Sequence, residues 1–321
     1  MKIERISRDF TPLCEGILYN IETESEEPTD IEVEVIEMAT GEIVATKLLR
    51  NTARATINIA PYMEILAEYA PSSHQQTSLA EAPTAAYKIR IGDIESEEVV
   101  VSVNRCKIGS TPCVVTSFPI SRQLRQGESD EVLIVTGRGK TIYTEIVADT
   151  GEVLYLEHLT SSGAATLTIV ADDFESAVKA FDVTIRCEGK ILASLHYEVK
   201  PPLKTATRMA WLSECGAIEQ YSFPVTYKAK LHTKRQTFAT AEGFAAQGQT
   251  RQQISLCSRL EPRATIEALA QIASSSKAWV ENEGKWHSVE VITPEVEYNL
   301  FGEPSFIHLD ICLWQREVGL W

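Results

Sequence analysis

The chain has no long hydrophobic run and no apolar stretch near its start. No run of about 18 apolar residues occurs in the sequence, so we expect no transmembrane helix and no membrane insertion. The opening MKIERISRDFTPLCEGILYN lacks the apolar core of a secretory signal. We therefore expect a protein that is made in the cytoplasm and is not exported.

Basic residues are in deficit. The 321 residues include 45 acidic and 30 basic residues, which gives a formal net charge of −15. A polyanion is repelled by such a chain, so the charge argues against nucleic acid as a partner and against an anionic membrane surface. We therefore expect the partners to be other proteins or further copies of the same chain.

Motifs for metals, cofactors and catalysis are missing. The seven cysteines have no regular spacing, and neither Cys-x-x-Cys nor His-x-x-x-His occurs, so we expect reduced thiols and no metal site. TGRGK (136–140) lacks the spacing of a phosphate loop, and SSSK (274–277) lacks the companion motifs of an acyl-enzyme site. The sequence therefore predicts no cofactor and no catalytic residue.

One cysteine lies in a segment that invites a chemical interpretation. WLSECGAIEQYSFP (211–224) contains Cys215, and the nearest histidine in the sequence is His232. A nucleophilic thiol needs a cation or a helix N-terminus beside it, whereas Glu214 and Glu219 flank this one. Two strand-like stretches around Cys-Gly predict a hairpin turn, and a cysteine-dependent enzyme that uses Cys215 is kept as an alternative.

The chain contains an internal repeat. TGEIVATKLLRNTARATINI (40–59) aligns without a gap on TGEVLYLEHLTSSGAATLTI (150–169), and AYKIRI (86–91) matches AFDVTI (180–185). The first copy carries an extra loop, APSSHQQTSLAEAP (70–83). Such self-similarity indicates a duplicated domain of roughly 100 residues.

Each copy has the pattern of a β-sandwich. Segments such as IEVEVIE (31–37) and ATINI (55–59) alternate with period two, and ATGE and DTGE are turn sequences. ADDFESAVKA (171–180) predicts one helical turn capped by Asp172 or Asp173. We predict two tandem immunoglobulin-like or fibronectin-like sandwiches at 1–104 and 105–202, closed by the stiff linker VKPPLK (199–204).

Residues 203–321 do not match the repeat and predict an α+β domain with one helix. EPRATIEALAQIASS (261–275) has helical periodicity, and KAWVENEGKWHSVEVIT (277–293) reads as a hairpin. In the final strand, FIHLDICLWQ (306–315), Ile307, Leu309, Ile311 and Leu313 share one face.

Aromatic residues in the third region are the remaining functional candidates. Aromatic side chains either fill a core or anchor interfaces and stack on sugars. The interface candidates are Trp211, Tyr221, Phe223, Trp286, Trp314 and Trp321.

The pattern Trp-Leu-x-x-x-Gly-x-x-x-x-Tyr-x-Phe, residues 211–223, carries a resemblance. With the later helix, the hairpin WVENEGKWHSVEVI and the strand FIHLDICLW, it resembles uncharacterised tail-type structural proteins of phages and prophages from gut Bacteroidetes. The resemblance covers the last third of the chain best. It implies a non-enzymatic assembly role and offers no catalytic residues.

Two functional hypotheses follow. The first is a structural protein, virion-associated, that docks into an assembly or self-associates; an extended apolar patch on the third region would favour it. The second is a surface adhesin or binding module for a cell-surface glycan or a protein, which a shallow groove ringed by aromatics would favour. A bacterial adhesin needs an export signal, which the sequence lacks.

Overall fold

The computed structural model describes residues 1–7, 10–12, 16–23, 27–66, 70–71, 76–82, 84–102, 112–240, 243–299 and 304–313. Strands account for 59% of the structure and helices for 7%, so the protein is mainly β, as predicted. Its sheets pack in pairs over residues 2–200, and one further sheet follows.

Two sheets enclose the core of the first sandwich. The smaller sheet consists, in spatial order, of β1 (Lys2–Arg5), β3 (Leu18–Glu22) and β6 (Arg54–Asn58). The larger sheet consists of β2 (Phe10–Pro12), β10 (Val99–Ser102), β8 (Thr84–Ile91), β4 (Thr29–Glu37) and β5 (Ile43–Thr52), with β9 (Ile94–Glu95) beside β8. Alternate residues such as Tyr19, Ile21, Val33 and Ile89 meet between the sheets, and helix α1 (Ala60–Leu66) contributes Met63.

The second sandwich repeats this strand order. Its smaller sheet contains β11 (Cys113–Val115), β13 (Ser129–Val135) and β16 (Ala164–Val170). Its larger sheet contains β12 (Ser121–Arg125), β18 (Lys190–Lys200), β17 (Ala180–Cys187), β14 (Thr141–Ala148) and β15 (Val153–Leu159). In both sandwiches one pair is parallel, β2 with β10 and β12 with β18, so the sequence repeat is a repeat of topology.

One strand crosses from the first copy to the second. β7 (Ser78–Glu81) comes from the extra loop of the first copy, and it pairs antiparallel with β16, from Ser78↔Thr168 to Glu81↔Ala165. The loop that distinguishes the first copy thus supplies the fourth strand of the second copy's smaller sheet.

A short 3₁₀ turn, Ala171–Asp173, stands where the sequence predicted a helical turn with an aspartate cap. The prediction that Asp172 or Asp173 caps this turn is wrong, because Val170 occupies the N-cap position and no side chain forms a capping hydrogen bond. Asp172 instead accepts a hydrogen bond from the Gly127 amide at 2.7 Å, and Asp173 accepts one from the Thr77 amide beside β7.

The third region forms a seven-stranded sheet. Its spatial order is β20 (Ile218–Phe223), β19 (Thr207–Leu212), β23 (Ala278–Asn282), β24 (Lys285–Val291), β25 (His308–Leu313), β22 (Gly243–Cys257) and β21 (Val225–Thr240). Helix α2 (Arg263–Ala270) begins after Pro262 and ends in a 3₁₀ turn, Gln271–Ser274. Ile266 and Leu269 of the helix and Ile272 of the turn cover one face of the sheet. That face includes Ile307, Leu309 and Ile311.

Candidate functional site

Cys215 lies in the turn between β19 and β20, as the hairpin prediction required. The strands pair from Thr207↔Phe223 to Leu212↔Ile218. Cys215 and Ala217 pack against the outward apolar face of the second sandwich's smaller sheet, which presents Val115, Leu133, Val135 and Ala164. Within the described part of the chain, no hydrogen bond joins a histidine to this thiol.

The edge strand β20 contacts the second sandwich through both of its faces. On one face, Arg208 of the neighbouring β19 forms an ion pair with Glu128 at 3.1 Å and donates a hydrogen bond to the backbone oxygen of Ser129. Arg208 also donates to Gln220 at 2.8 Å, and Gln220 in turn donates to Glu131 at 3.1 Å. This face of the joint between the second sandwich and the third sheet is therefore held by charged hydrogen bonds.

The other face of β20 places a carboxyl group inside the joint. The Oε1 atom of Glu219, which is fully buried, accepts hydrogen bonds from Thr116 Oγ1 at 2.9 Å and from the amide and hydroxyl of Ser117 at 2.5 and 3.1 Å. Oε2 has no partner among the described residues, so a proton there would break none of these bonds. Burial raises the pKa of Glu219 to about 7, although the nearby Arg122 opposes the rise.

Arg122 continues this network into the second sandwich. Its Nη1 atom contacts Asp130 Oδ2 at 2.8 Å, and its Nη2 atom donates to Thr116 Oγ1 at 2.9 Å. The Tyr197 hydroxyl also donates to Asp130, at 2.8 Å. These hydrogen bonds satisfy the buried Arg122–Asp130 ion pair, as a buried charge requires, and Thr116 connects the pair to Glu219 across the joint.

A cleft of about 200 Å³ opens beside this joint. Its lining includes four arginines, at 122, 125, 208 and 259, and four carboxylates, at 128, 130, 198 and 261. Equal numbers of both charges select neither an anion nor a cation, so we assign the cleft no ligand.

The β7 crossing is anchored by a carboxylate. Glu81 accepts hydrogen bonds from the amides of Ser161 and Ser162, and His158 Nε2 lies 2.8 Å from its Oε2 atom. Burial disfavours the charge, but the hydrogen bonds from Ser162, His158 and Ser161 outweigh it and lower the pKa of Glu81 to about 2. This carboxylate therefore joins the two sandwiches in its ionised form.

Trp211 and Phe223 are core residues. Both are fully buried under α2, and the Trp211 ring lies 5.7 Å from that of Phe118, which belongs to the second sandwich's sequence. The prediction that they contact a partner is corrected, because the hairpin that carries them docks within the chain.

Of the other four interface candidates, two are partly accessible and two lie outside the described residues. Tyr221 is half-buried and donates to Glu261 at 2.9 Å, and Trp286 packs against the small cluster that contains Trp279. Trp314 and Trp321 lie outside the described residues. None of the described candidates offers a fully exposed ring.

The longest strands of the protein form an arm, which we define as residues 225–257. β21 and β22 pair from Val225↔Cys257 to Thr240↔Gly243, whereas β25 pairs with β22 only over 252–257. Within the described ranges no third strand joins residues 233–240 and 243–250, a length of roughly 26 Å at about 3.3 Å per residue. β21 is also the last strand of the sheet, so its outer edge has no partner strand in the described chain.

The arm differs in charge from the remainder of the chain. Its 33 residues include five basic and one acidic residue, a formal charge of +4, whereas the other 288 carry 25 basic and 44 acidic residues, a charge of −19. The register places Lys228, Lys230 and His232 on one face, with Arg251 opposite His232. Both lysines are exposed.

An apolar patch lies at the base of the arm. Tyr227 of β21 is 52% exposed and Phe306 is 46% exposed. Their rings lie 5.4 and 5.1 Å from the ring of His308, each nearly perpendicular to it. We call these three residues the basal patch; exposed rings in a group are typical of contact surfaces.

The described residues offer neither a metal site nor a membrane-spanning helix. In the part of the chain that is described, no group of three His, Cys, Asp or Glu side chains is placed to hold a metal ion. No described helix has the length and apolar character needed to cross a membrane.

Comparison with protein-family models finds no match, and comparison with curated proteins finds none either. Among solved structures, the chain is similar to the crystal structure of Salmonella alpha-2-macroglobulin reacted with methylamine. The identity is 10% and the TM-score is 0.21, over 79% of this chain and 22% of the other. A TM-score so low supports no inference about function.

The arm is the feature that sequence reasoning missed. In its sequence, VTYKAKLHTKRQTFATAEGFAAQGQTRQQISLC, apolar and polar residues alternate from Val225 to Leu231, but the pattern does not continue along the rest of the arm. The signal that could have found it is charge, since five of its residues are basic in an acidic chain.

Proposed function

We propose that the chain is a non-enzymatic structural protein of the phage-tail or prophage-tail type, which self-associates or docks into a larger assembly. The observation that carries this proposal is the arm, whose strands run past the last strand pair of this sheet in the described residues, Gln252↔Leu313. A two-stranded ribbon is marginally stable in water, so such an arm gains from a partner surface.

The joints between the three sheet regions support the same role. β7 ties the first sandwich to the second, and the Arg208 and Glu219 contacts tie the second to the third sheet. A strand pair and several hydrogen bonds restrict how neighbouring domains move relative to one another, which a spacer in an assembly requires.

A glycan-binding module is the second candidate. The exposed rings of Tyr227 and Phe306 favour it, because sugars stack on aromatic faces. Against it, both rings meet His308 edge to face, which leaves no flat platform of parallel rings.

The solution mass of the purified protein tests the proposal. We expect light scattering on a sizing column to give a mass above that of the 35.6 kDa chain, rising with concentration, and negative-stain images to show rings or filaments. A mass that stays at one chain at every concentration, together with selective binding on a glycan array, would replace assembly with the second candidate.

A further inference from the structure

We propose that the arm of one copy binds the first sandwich of the next copy, so that the protein associates head to tail. The inference rests on the proposed assembly role and names its partner, a second copy of this chain. It brings together the basic arm and the most acidic part of the protein.

The donor surface is the lysine face of the arm. Lys228 and Lys230 alternate along β21 and point to the same side, because side chains two residues apart share a face of a strand. Both are exposed, and no ion pair joins either one to a carboxylate in the described chain. Lysines on an edge strand discourage pairing with neutral strands, so an acidic surface is the partner that remains favourable.

The acceptor surface is the outer face of the first sandwich's larger sheet. Residues 1–104 include 19 acidic and 8 basic residues, a formal charge of −11, and residues 22–37 include eight acidic residues and no basic one. Ile31, Val33 and Val35 point into the core, so Glu32 of β4 points outward and is exposed, as is Glu27 just before the strand. Glu34 also points outward, but Arg90 of β8 already pairs with it at 2.6 Å. Glu32 lies opposite Leu48, which is 51% exposed, and this gives the acidic face an apolar contact point.

Charge also decides between this contact and its alternatives. Two arms of +4 repel each other, so a symmetric arm-to-arm dimer is disfavoured. A nucleic acid would attract the arm but would be repelled by the remaining −19 of the chain. The acidic face of another copy attracts the arm, and the −15 of that copy is spread over 321 residues, whereas duplex DNA carries one charge per roughly 1.7 Å.

The contact is heterologous, because the arm and the acidic face lie on different domains. A pair of copies then keeps one free arm and one free face, so further copies can add. The product is a ring if the rotation between copies closes, and a filament if it does not. Such an assembly weakens as salt screens the exposed charges.

Charge reversal on the full chain tests the inference. We expect the arm variant, Lys228→Glu with Lys230→Glu, to weaken self-association at least roughly tenfold. Raising the salt from about 0.01 M to about 1 M should weaken the self-association of the wild type by a similar factor. Glu27→Lys with Glu32→Lys, the face variant, should weaken it equally. An equimolar mixture of the two variants should reassemble, because each reversed arm then meets a reversed face.

A control variant separates the contact from net charge. Lys190→Glu with Lys285→Glu changes two exposed lysines outside the arm by the same amount and should associate like the wild type. If the wild type associates and the arm variant associates equally well, the inference fails while the assembly role stands. A wild type that stays monomeric overturns the inference, and together with selective glycan binding it overturns the assembly role as well. Arm-dependent binding to duplex DNA without a change of mass assigns the arm to nucleic acid instead.

Discussion

At the scale of single residues, Glu219 determines how the joint between the second sandwich and the third sheet responds to pH. Burial raises its pKa from the ordinary 4.5 to about 7, so the folded chain holds a proton that the unfolded chain releases. Stability therefore falls as pH rises from about 4.5 through about 7, by up to roughly 3 kcal/mol for this group.

We expect Glu219→Gln to remove most of this fall. The measurement is the free energy of unfolding in urea between pH 4.5 and pH 8, taken as the difference between variant and wild type so that other groups cancel. Glu214→Gln, which changes an exposed glutamate in the same hairpin turn, is the control. Parallel profiles for Glu219→Gln and wild type would contradict the assignment.

Glu81 titrates with the opposite sign. Its pKa is lowered to about 2, so its contribution is complete above the ordinary value of 4.5 and is lost as pH falls toward 2. Acid below about pH 4.5 therefore weakens the β7 crossing, whereas a rise from about pH 4.5 to about pH 7 weakens the Glu219 joint.

At the scale of elements, β7 determines how firmly the sandwiches are joined. Leu79 packs against the core of the second sandwich, while Ala80 of the same strand is exposed. We expect Leu79→Asp to release β7 from β16, because a carboxylate in that position loses hydration without a partner. Hydrogen exchange of the amides of 164–168 should quicken at least about tenfold.

Ala80→Asp is the matched control, since it adds the same charge on the outward face of β7. Unchanged protection of 164–168 in Leu79→Asp would mean that the crossing does not depend on this side chain. Protection lost equally in both variants would point to charge rather than packing.

The sequence predicted those elements whose residues repeat or alternate. The aligned segments 40–59 and 150–169 became β5 and β6 in one sandwich and β15 and β16 in the other. The Glu283-Gly284 turn has φ of 52° and 74°, as a two-residue hairpin requires, and the predicted helix is shorter but correctly placed.

Elements that depend on distant parts of the chain could not be predicted. β7 lies in a loop of mixed composition and becomes a strand only because β16 offers an edge. Glu219 reads as a surface residue in the sequence, yet the docking of β20 buries it. Beyond Leu231 the sequence of the arm is mostly polar or small residues, so most of its length leaves no alternating apolar pattern.

At the scale of the whole molecule, the second sandwich and the third sheet should unfold together. Arg208 links them through Glu128 and the backbone of Ser129, and its side chain is nearly buried. We expect a single calorimetric transition for these two regions. Arg208→Ala leaves Glu128 without its cation, which costs roughly 3–5 kcal/mol, and should split or lower that transition.

Lys190→Ala removes an exposed cation from the second sandwich and should leave the transition in place. Two separate transitions already present in the wild type would show that the joint does not couple the regions.

The crossing strand also affects the order of events on the ribosome. β7 is synthesised 84 residues before its first partner in β16, counted from Glu81 to Ala165. At about 5–20 residues per second, the nascent strand waits roughly 4–17 seconds with its backbone groups unpaired. During that interval the first sandwich can fold while β7 remains available to a neighbouring nascent chain, so dense polysomes would favour exchange of β7 between copies.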